Sequence, residues 1–303
     1  MTTQDVLSIV ILIYAVANLG SMGLELNLQA TIKSLRNARL VMLVLGWSWL
    51  VAPAFAYLLT RVIPMAEPYA IGLLIFGLAP TAPALPLFIR MARADMDLAA
   101  AIMPLAMVST VLLMPLMAPL LIRGLTVSSW ALAKPLILAV LVPLVIGVAI
   151  KVYATRVAGK LFPVVKKIAG ISTLLLIVFT VVIYGRQLIS ALGSYAVAAQ
   201  VLFIVGLALV SYVFGFGLKQ EQRSAMALGV CTRNGGAMFV AFTTFPNPDP
   251  RLLAMILLAI PVPTITWFCL ARFFASRAGK AVEGGAAGIP PCGERAETAI
   301  HGQ

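Results

Sequence analysis

Nine apolar segments, separated by shorter polar stretches, divide most of the chain. They lie near residues 5–26, 40–60, 69–93, 98–122, 135–151, 168–185, 196–217, 222–245 and 252–272. Their lengths approach the roughly 20 apolar residues that a helix needs to cross the hydrocarbon core of a bilayer. Since that core offers the backbone no hydrogen-bond partner, each segment is expected to be helical. The pattern predicts an all-α polytopic membrane protein with nine transmembrane helices within residues 1–275, followed by a disordered cytoplasmic tail over 276–303.

The composition supports lipid as the main solvent of the chain. The 303 residues are 62% hydrophobic and only 11% charged, and the mean hydropathy is +1.05. A soluble domain carries about 25% charged residues. The net charge of +12 could indicate nucleic acid, but basic cytoplasmic loops give polytopic membrane proteins the same excess. We therefore expect the lipid bilayer, and no nucleic acid, as a partner.

The distribution of lysine and arginine predicts the orientation. If the N-terminus faces outward, sixteen of the 22 basic residues fall in inner loops or the tail and five in outer loops. Cytoplasmic loops are the ones enriched in lysine and arginine. The expected protein is therefore a multi-pass protein of the plasma (inner) membrane, with its N-terminus outside and its C-terminus in the cytoplasm.

The third and eighth segments carry residues that interrupt helices. These are Pro80, Pro83 and Pro86 in the third segment, and Gly229, Gly235 and Gly236 in the eighth. Proline removes a backbone donor and clashes with the preceding turn, and glycine loosens a helix. The predicted topology makes the two segments antiparallel. Two such interrupted, antiparallel helices are typical of an inverted repeat with a binding site near the bilayer midplane.

Arg233 lies in the middle of the eighth segment, which contains no acidic residue. An arginine at that depth costs about 2.5–3.5 kcal/mol on insertion scales. Three interpretations stay open: a structural cation that binds the carbonyls of the broken helices, a fixed cation that attracts an anionic substrate, or a side chain that snorkels to a membrane interface. The candidate substrate-binding residues are Arg233, Asn234, Thr232, Thr81 and Ser48. For the four uncharged residues the alternative is hydrogen bonding within or between helices.

Three short stretches carry a resemblance to a known family. They are GSMGLEL (Gly20–Leu26), GLAPTAPA (Gly77–Ala84) and RNGGAMFVA (Arg233–Ala241). With them the chain resembles the bile acid:sodium symporter family, without the first of that family's usual ten helices. The resemblance implies a core domain, whose two broken helices cross, that moves against a panel domain.

The positions that hold sodium in the family are changed in this chain. The serine and asparagine of the first broken helix fall on Leu85 and Pro86, and the ligands from the next helix fall on Ala99 and Met103. The glutamate that the family's sodium sites share falls on Gly229, and the two glutamines of the second site fall on Arg233 and Ser48. Sodium is a hard cation that prefers oxygen ligands. Sodium remains compatible with the resemblance, but its usual side-chain ligands are almost all absent, which puts the usual coupling in question.

The leading functional hypothesis is a secondary transporter of a small or amphipathic organic anion that works by alternating access. The alternative is a non-transporting membrane sensor or binding protein on the same scaffold. An enzyme would need a paired nucleophile and base or a metal site. The single histidine, His301, lies in the tail, and the cysteines Cys231, Cys269 and Cys292 are scattered. We therefore expect no catalytic residue, no protein-bound metal site and no other cofactor.

Overall fold

The computed structural model describes residues 3–26, 28–122, 128–245 and 248–286. Within these ranges the regular elements are helices, and no β-strand occurs. The helices are α1 (Thr3–Glu25), α2 (Leu28–Leu35), α3 (Ala38–Leu45), α4 (Ala52–Val62), α5 (Glu67–Gly77), α6 (Leu85–Met91), α7 (Met96–Leu121), α8 (Ser129–Leu136), α9 (Val142–Tyr153), α10 (Thr155–Leu192), α11 (Ala196–Val213), α12 (Gln220–Cys231), α13 (Gly235–Phe242), α14 (Pro250–Leu258) and α15 (Pro261–Ala286).

Six helical stretches in the described part are long and apolar enough to cross a membrane. They are Ala38–Val62, Met96–Leu121, Ser129–Tyr153, Thr155–Ile183, Ala196–Val213 and Pro250–Ala278. The third and eighth apolar segments are not among them, because each is divided into two shorter helices, α5 with α6 and α12 with α13. The fold is therefore that of an all-helical, multi-pass membrane protein, as the apolar pattern predicts.

Three elements extend into regions that the sequence assigns to loops or tail. A short helix, α2, lies in the predicted loop between the first two segments, and α10 begins at Thr155 instead of near residue 168. In both regions, lysine and arginine lower the hydropathy without preventing a helix. The predicted disordered tail begins at residue 276, whereas α15 continues through Ala286, and residues 287–303 lie outside the described part.

Two spans contain a π-helical turn that ends two residues before a proline. Residues Gly46–Val51 precede Pro53, and residues Ile137–Leu141 precede Pro143. A proline cannot donate to the carbonyl four residues earlier, and its ring clashes with that carbonyl. The wider turn accommodates the ring, and the amides of Ala52 and Val142 bond to carbonyls five residues back. Both spans thus continue through their prolines.

Glycine allows α1 and α9 to approach closely. A Cβ atom on Gly147 would lie 2.6 Å from the carbonyl oxygen of Gly20 and 3.0 Å from the Cα of Gly23. A Cβ atom on Gly23 would in turn overlap the carbonyl oxygen of Leu144. Small residues at such a crossing let two helix backbones touch, which is a common device of helix packing in membranes.

Substitution of Gly147 by alanine is expected to force α1 and α9 apart and to lower the melting temperature, because the added methyl group meets backbone atoms that cannot rotate away. Overpacking of this kind costs about 1–3 kcal/mol. Thermal unfolding of the purified protein in detergent measures the effect. Gly170→Ala on α10 is the matched control, since its Cβ would meet open space. Equal melting temperatures for the two variants would contradict the close crossing.

Candidate functional site at the helix crossing

The two interrupted helices meet at their interruptions. The connection between α5 and α6 pairs with the connection between α12 and α13 through an antiparallel bridge of Pro80 and Arg233. The amide of Thr81 donates to the carbonyl of Thr232, and the amide of Asn234 donates to the carbonyl of Ala79, both at 2.8 Å. Each connection therefore supplies the hydrogen bonds that the other lost when its helix ended.

The predicted interrupting residues occupy this crossing or border it. Pro80 lies in the bridge, Pro83 lies in the connection, and Pro86 lies in the first turn of α6. Gly229 lies near the end of α12, and Gly235 and Gly236 begin α13. A Cβ atom on Gly229 would lie 2.9 Å from the side chain of Ile102, and one on Gly235 would lie 2.9 Å from the hydroxyl oxygen of Tyr14. The glycines thus allow α7 and α1 to pack directly against the broken helix.

Thr81 adopts a backbone conformation that is rare for a β-branched residue, with φ of +64°. Its hydroxyl donates to the carbonyl of Gly229 at 3.1 Å, and its amide is held by Thr232. A strained residue persists when its surroundings determine its conformation, and such residues cluster at functional sites. The strain at Thr81 is thus held by two hydrogen bonds to the end of α12.

Arg233 is almost fully buried, at 2% exposure. Its Nη1 donates to the carbonyl of Gly77 at 3.2 Å, and its Nη2 donates to the carbonyl of Val230 at 2.9 Å. Gly77 is the last residue of α5, and Val230 lies in the last turn of α12. Helix C-termini carry partial negative charge. The guanidinium therefore neutralises the ends of both half-helices, and among the described residues it forms no ion pair with a carboxylate.

An aromatic cluster packs against the guanidinium of Arg233. The ring of Phe203 on α11 lies 4.8 Å from the Arg233 guanidinium carbon, within the range of a cation–π interaction. Phe203 in turn stacks on Phe55 at 5.8 Å and packs edge-to-face on Phe76 at 5.4 Å. Sequence reasoning missed these residues, because a phenylalanine in an apolar span is indistinguishable from ordinary core.

Asn234 and Thr232 are fully buried and have local partners. The Asn234 side chain accepts from the amide of Ala237, so it caps α13, and its Nδ2 lies 3.1 Å from the sulfur of Met107. The Thr232 hydroxyl donates to the carbonyl of Gly229 at 3.3 Å. Four of the five predicted site residues, namely Thr81, Thr232, Arg233 and Asn234, are thus brought together at the crossing.

Ser48, the fifth predicted residue, lies in the π-helical turn Gly46–Val51, which belongs to neither of the two interrupted helices. Its Oγ is buried and has no hydrogen-bond partner among the described residues. The Arg233 Nε and the Gln200 Oε1 share this property in the part of the chain that the structure describes. Gln200 was not predicted, although a glutamine inside an apolar segment was a signal that could have identified it.

A cavity of about 210 Å³ lies beside the crossing, between α1 and the pair α6 and α7. Three positions that the family resemblance assigns to sodium ligands, Pro86, Ala99 and Met103, line it. None of these side chains offers an oxygen, so they do not fit a hard cation. At the position assigned to a glutamine of the second sodium site, this chain has Arg233, whose guanidinium is itself positively charged. In the described ranges, no cluster of three or more His, Cys, Asp or Glu residues could hold a metal ion.

Glu25 lies at the edge of this cavity, at the end of α1. Its carboxylate lies 3.4 Å from Nη2 of Arg90 on α6 and 3.7 Å from Nζ of Lys166 on α10. All three side chains are at least one-third exposed, which limits what each ion pair contributes to stability. The geometry gives Glu25 two basic partners and places it near the surface.

Comparison with known proteins identifies the relatives of this chain. The model of the Sodium Bile acid symporter family matches residues 12–192, which extend from within α1 to the end of α10 and include the first interrupted helix. The chain is 24% identical over 276 residues to the "Probable sodium/metabolite cotransporter BASS3, chloroplastic" of Arabidopsis thaliana, covering 87% of this chain and 63% of that protein. It is 24% identical over 259 residues to the protein of the same name from Oryza sativa subsp. japonica, covering 82% of this chain and 61% of that protein.

The chain spans about three-fifths of the length of these relatives. The family match extends over more than half of the chain and includes two of the three short stretches, and the resemblance to this family is confirmed. Members of this family are membrane transporters and not enzymes, in agreement with the absence of a catalytic constellation from the sequence. The chain belongs to the sodium bile acid symporter family.

Proposed function

We propose that this protein is a secondary transporter that moves a small or amphipathic organic anion across the membrane by alternating access. The observation that carries the proposal is the buried crossing of two interrupted helices. Irregular backbone at membrane depth is tolerated where it is buried in protein or lines a binding cavity. In transporters with inverted repeats, substrate sites form at such crossings.

The proposed topology has nine spans. In chain order they are α1, α3–α4, α5–α6, α7, α8–α9, α10, α11, α12–α13 and α14–α15. In this arrangement α5–α6 and α12–α13 are equivalent elements of an inverted repeat. The moving group, or core domain, contains both, and the panel domain consists of α1, α8–α9 and α10, which pack against one another. The N-terminus faces outward and the C-terminus faces the cytoplasm, in a plasma membrane.

An anion suits the charges at the crossing. Arg233 supplies a full positive charge, and the N-terminal end of α13 supplies the positive end of a helix dipole. Of the three guanidinium nitrogens, Nε is the one without a hydrogen-bond partner among the described residues. In the proposed mechanism, Arg233 holds the ends of α5 and α12 together while its charge and its Nε–H favour a carboxylate near Asn234.

We further propose that sodium contributes little to transport by this chain. The two relatives are named as probable sodium/metabolite cotransporters, and the coupling to sodium in those names refers to those proteins. Here the guanidinium of Arg233 provides a fixed cation, and Leu85, Pro86 and Gly229 provide no side-chain oxygen. A fixed cation cannot be lost or gained with the ion gradient, so it can compensate charge at the crossing but cannot couple transport to sodium.

Uptake of labelled organic anions into proteoliposomes tests the proposed function. We expect saturable uptake of at least one member of a panel of mono-, di- and amphipathic carboxylates, above that of protein-free vesicles. Asn234→Ala should reduce uptake of that anion several-fold, because it removes a polar side chain beside Arg233. It also removes the N-cap of α13, whose loss costs about 1 kcal/mol of helix stability.

Thr264→Ala is the matched control, since the Thr264 hydroxyl donates locally, to the carbonyl of Ile260 just before α15 at 2.6 Å, away from the crossing. It should transport like the unmodified protein. Stabilisation of the protein by an anion, without uptake of any member of the panel, would overturn the transporter proposal. That result would indicate a sensor or binding protein on the same scaffold.

A further inference from the structure

The short helix α2 exposes an apolar stripe that no protein element covers among the described residues. Leu28, Ile32 and Leu35 recur at the spacing i, i+4, i+7, which places them on one face of a helix. Their side chains are 36%, 45% and 41% exposed. Gln29 and Lys33 lie away from this stripe and are exposed as well. The helix is therefore strongly amphipathic, although its average hydrophobicity is low.

The apolar stripe borders the side of α2 that contacts the protein. Thr31 is buried, and its hydroxyl donates to the carbonyl of Ala100 on α7 at 3.1 Å. Leu28 and Leu35 are the helical neighbours of Thr31, three residues before it and four after it. The stripe thus continues outward from the face that rests on α7.

The helix α2 lies at one end of the spanning helices. It connects α1 to α3, and Ala100 lies in the second turn of α7. At eight residues, α2 is about 12 Å long, far too short to cross a bilayer. An amphipathic helix at the end of neighbouring spans has its apolar stripe at the level where acyl chains meet lipid headgroups.

The basic residues beside the apolar stripe favour a negatively charged partner. Lys33, Arg36 and Arg39 fall within seven residues and are exposed, and residues 26–40 contain no acidic residue. Asp95 and Asp97, at the start of α7, line a cavity together with Lys33, so the basic residues of this region outnumber the acidic ones by three to two. The side chain of Arg39 already donates to the carbonyl of Phe216, whereas Lys33 and Arg36 extend from α2 and its C-terminal end. Basic residues beside a membrane attract anionic lipid headgroups, with a contribution per residue that falls off within a Debye length.

We propose that α2 lies in the plane of the membrane surface and binds anionic phospholipid. Leu28, Ile32 and Leu35 enter the boundary between acyl chains and headgroups, and Lys33 and Arg36 bind phosphate groups. The hydrogen bond from Thr31 to Ala100 links this surface helix to α7, at a residue that lines the 210 Å³ cavity beside the crossing.

Nitroxide labels on single cysteines test the placement of α2. The full chain, with Cys231, Cys269 and Cys292 replaced by alanine and shown to be monodisperse, carries one label at Leu28, Gln29, Ile32 or Lys33. In phosphatidylcholine vesicles containing phosphatidylglycerol, we expect labels at Leu28 and Ile32 to collide more with oxygen than with a soluble nickel chelate. Labels at the matched positions Gln29 and Lys33 should show the reverse. Nickel access at all four positions, or shielding from both reagents at all four, as under a second protein chain, would overturn the proposal.

Variation of the lipid tests the charge. We expect the oxygen-to-nickel ratio of the label at Ile32 to rise with the phosphatidylglycerol fraction, and this rise to be lost in Lys33→Gln/Arg36→Gln. Lys134→Gln on α8, remote from α2 in the chain, is the control and should retain the rise. A ratio that is independent of phosphatidylglycerol in the labelled chain with Lys33 and Arg36 intact would overturn the assignment to anionic lipid.

Discussion

Replacement of Arg233 by methionine is expected to lower the melting temperature and to abolish binding of the transported anion. Methionine keeps much of the bulk but leaves the carbonyls of Gly77 and Val230 without their donors. A buried polar group without a partner costs about 1–3 kcal/mol. Removal of a buried charge recovers part of this cost, so the protein should still fold. The anion loses the positive charge at the crossing.

Arg233→Lys separates charge from geometry. Lysine keeps the positive charge, but its single ammonium group cannot reproduce the fork that reaches two carbonyls on different helices. We expect anion affinity between those of the unmodified protein and Arg233→Met, with a loss of about 1–3 kcal/mol on the scale of hydrogen bonds to charged groups. Thermal unfolding and calorimetry with the anion identified by uptake provide the two readouts.

Arg251→Met controls for the loss of an arginine in general. Arg251 lies at the surface and pairs with Asp249 at 2.7 Å, outside the crossing. This variant should bind the anion normally. If Arg233→Met binds the anion as tightly as the unmodified protein while its melting temperature falls, the arginine acts only as a structural cation. If its melting temperature does not fall either, the two carbonyl contacts do not stabilise the fold.

The all-helical membrane fold could be predicted because lipid permits few backbone arrangements. Uninterrupted apolar segments such as 98–122 and 196–217 correspond to single helices, α7 and α11. The interruptions were predictable for a local reason, since Pro80 and its neighbouring prolines cannot continue a helix. The helix indeed stops at Gly77 and resumes at Leu85.

Elements that depend on distant contacts could not be predicted in the same way. The partners of Arg233 are backbone carbonyls, and every residue carries one, so the sequence does not distinguish Gly77 from its neighbours. The support from Phe203 arises only when α11 packs beside the crossing. The helix α2 was missed because Lys33 and the polar residues near it resemble a loop, although Leu28, Ile32 and Leu35 already had helical spacing.

The rate of anion uptake is expected to change by less than about tenfold when sodium is replaced by potassium or choline, because five of the assigned ligand positions, Leu85, Pro86, Ala99, Met103 and Gly229, offer the ion no side-chain oxygen. A tenfold change corresponds to about 1.4 kcal/mol of coupling between the ion and the substrate. The assigned ligand positions Ala99 and Met103 offer a methyl group and a thioether. Thioether sulfur is a soft ligand that does not suit sodium.

The variant Arg233→Gln provides the matched test, because it removes the fixed cation and restores the amide that the family resemblance assigns to this position. The carbonyls of Gly77 and Val230 then become available as hard oxygen ligands beside the new side chain. We expect sodium, compared with potassium at the same concentration, to raise the melting temperature of Arg233→Gln and to leave that of the unmodified protein unchanged. The comparison requires no knowledge of the substrate. A sodium-dependent melting temperature in the unmodified protein, or a loss of its uptake greater than tenfold without sodium, would show that a bound sodium ion, and not Arg233 alone, supplies the positive charge at the crossing.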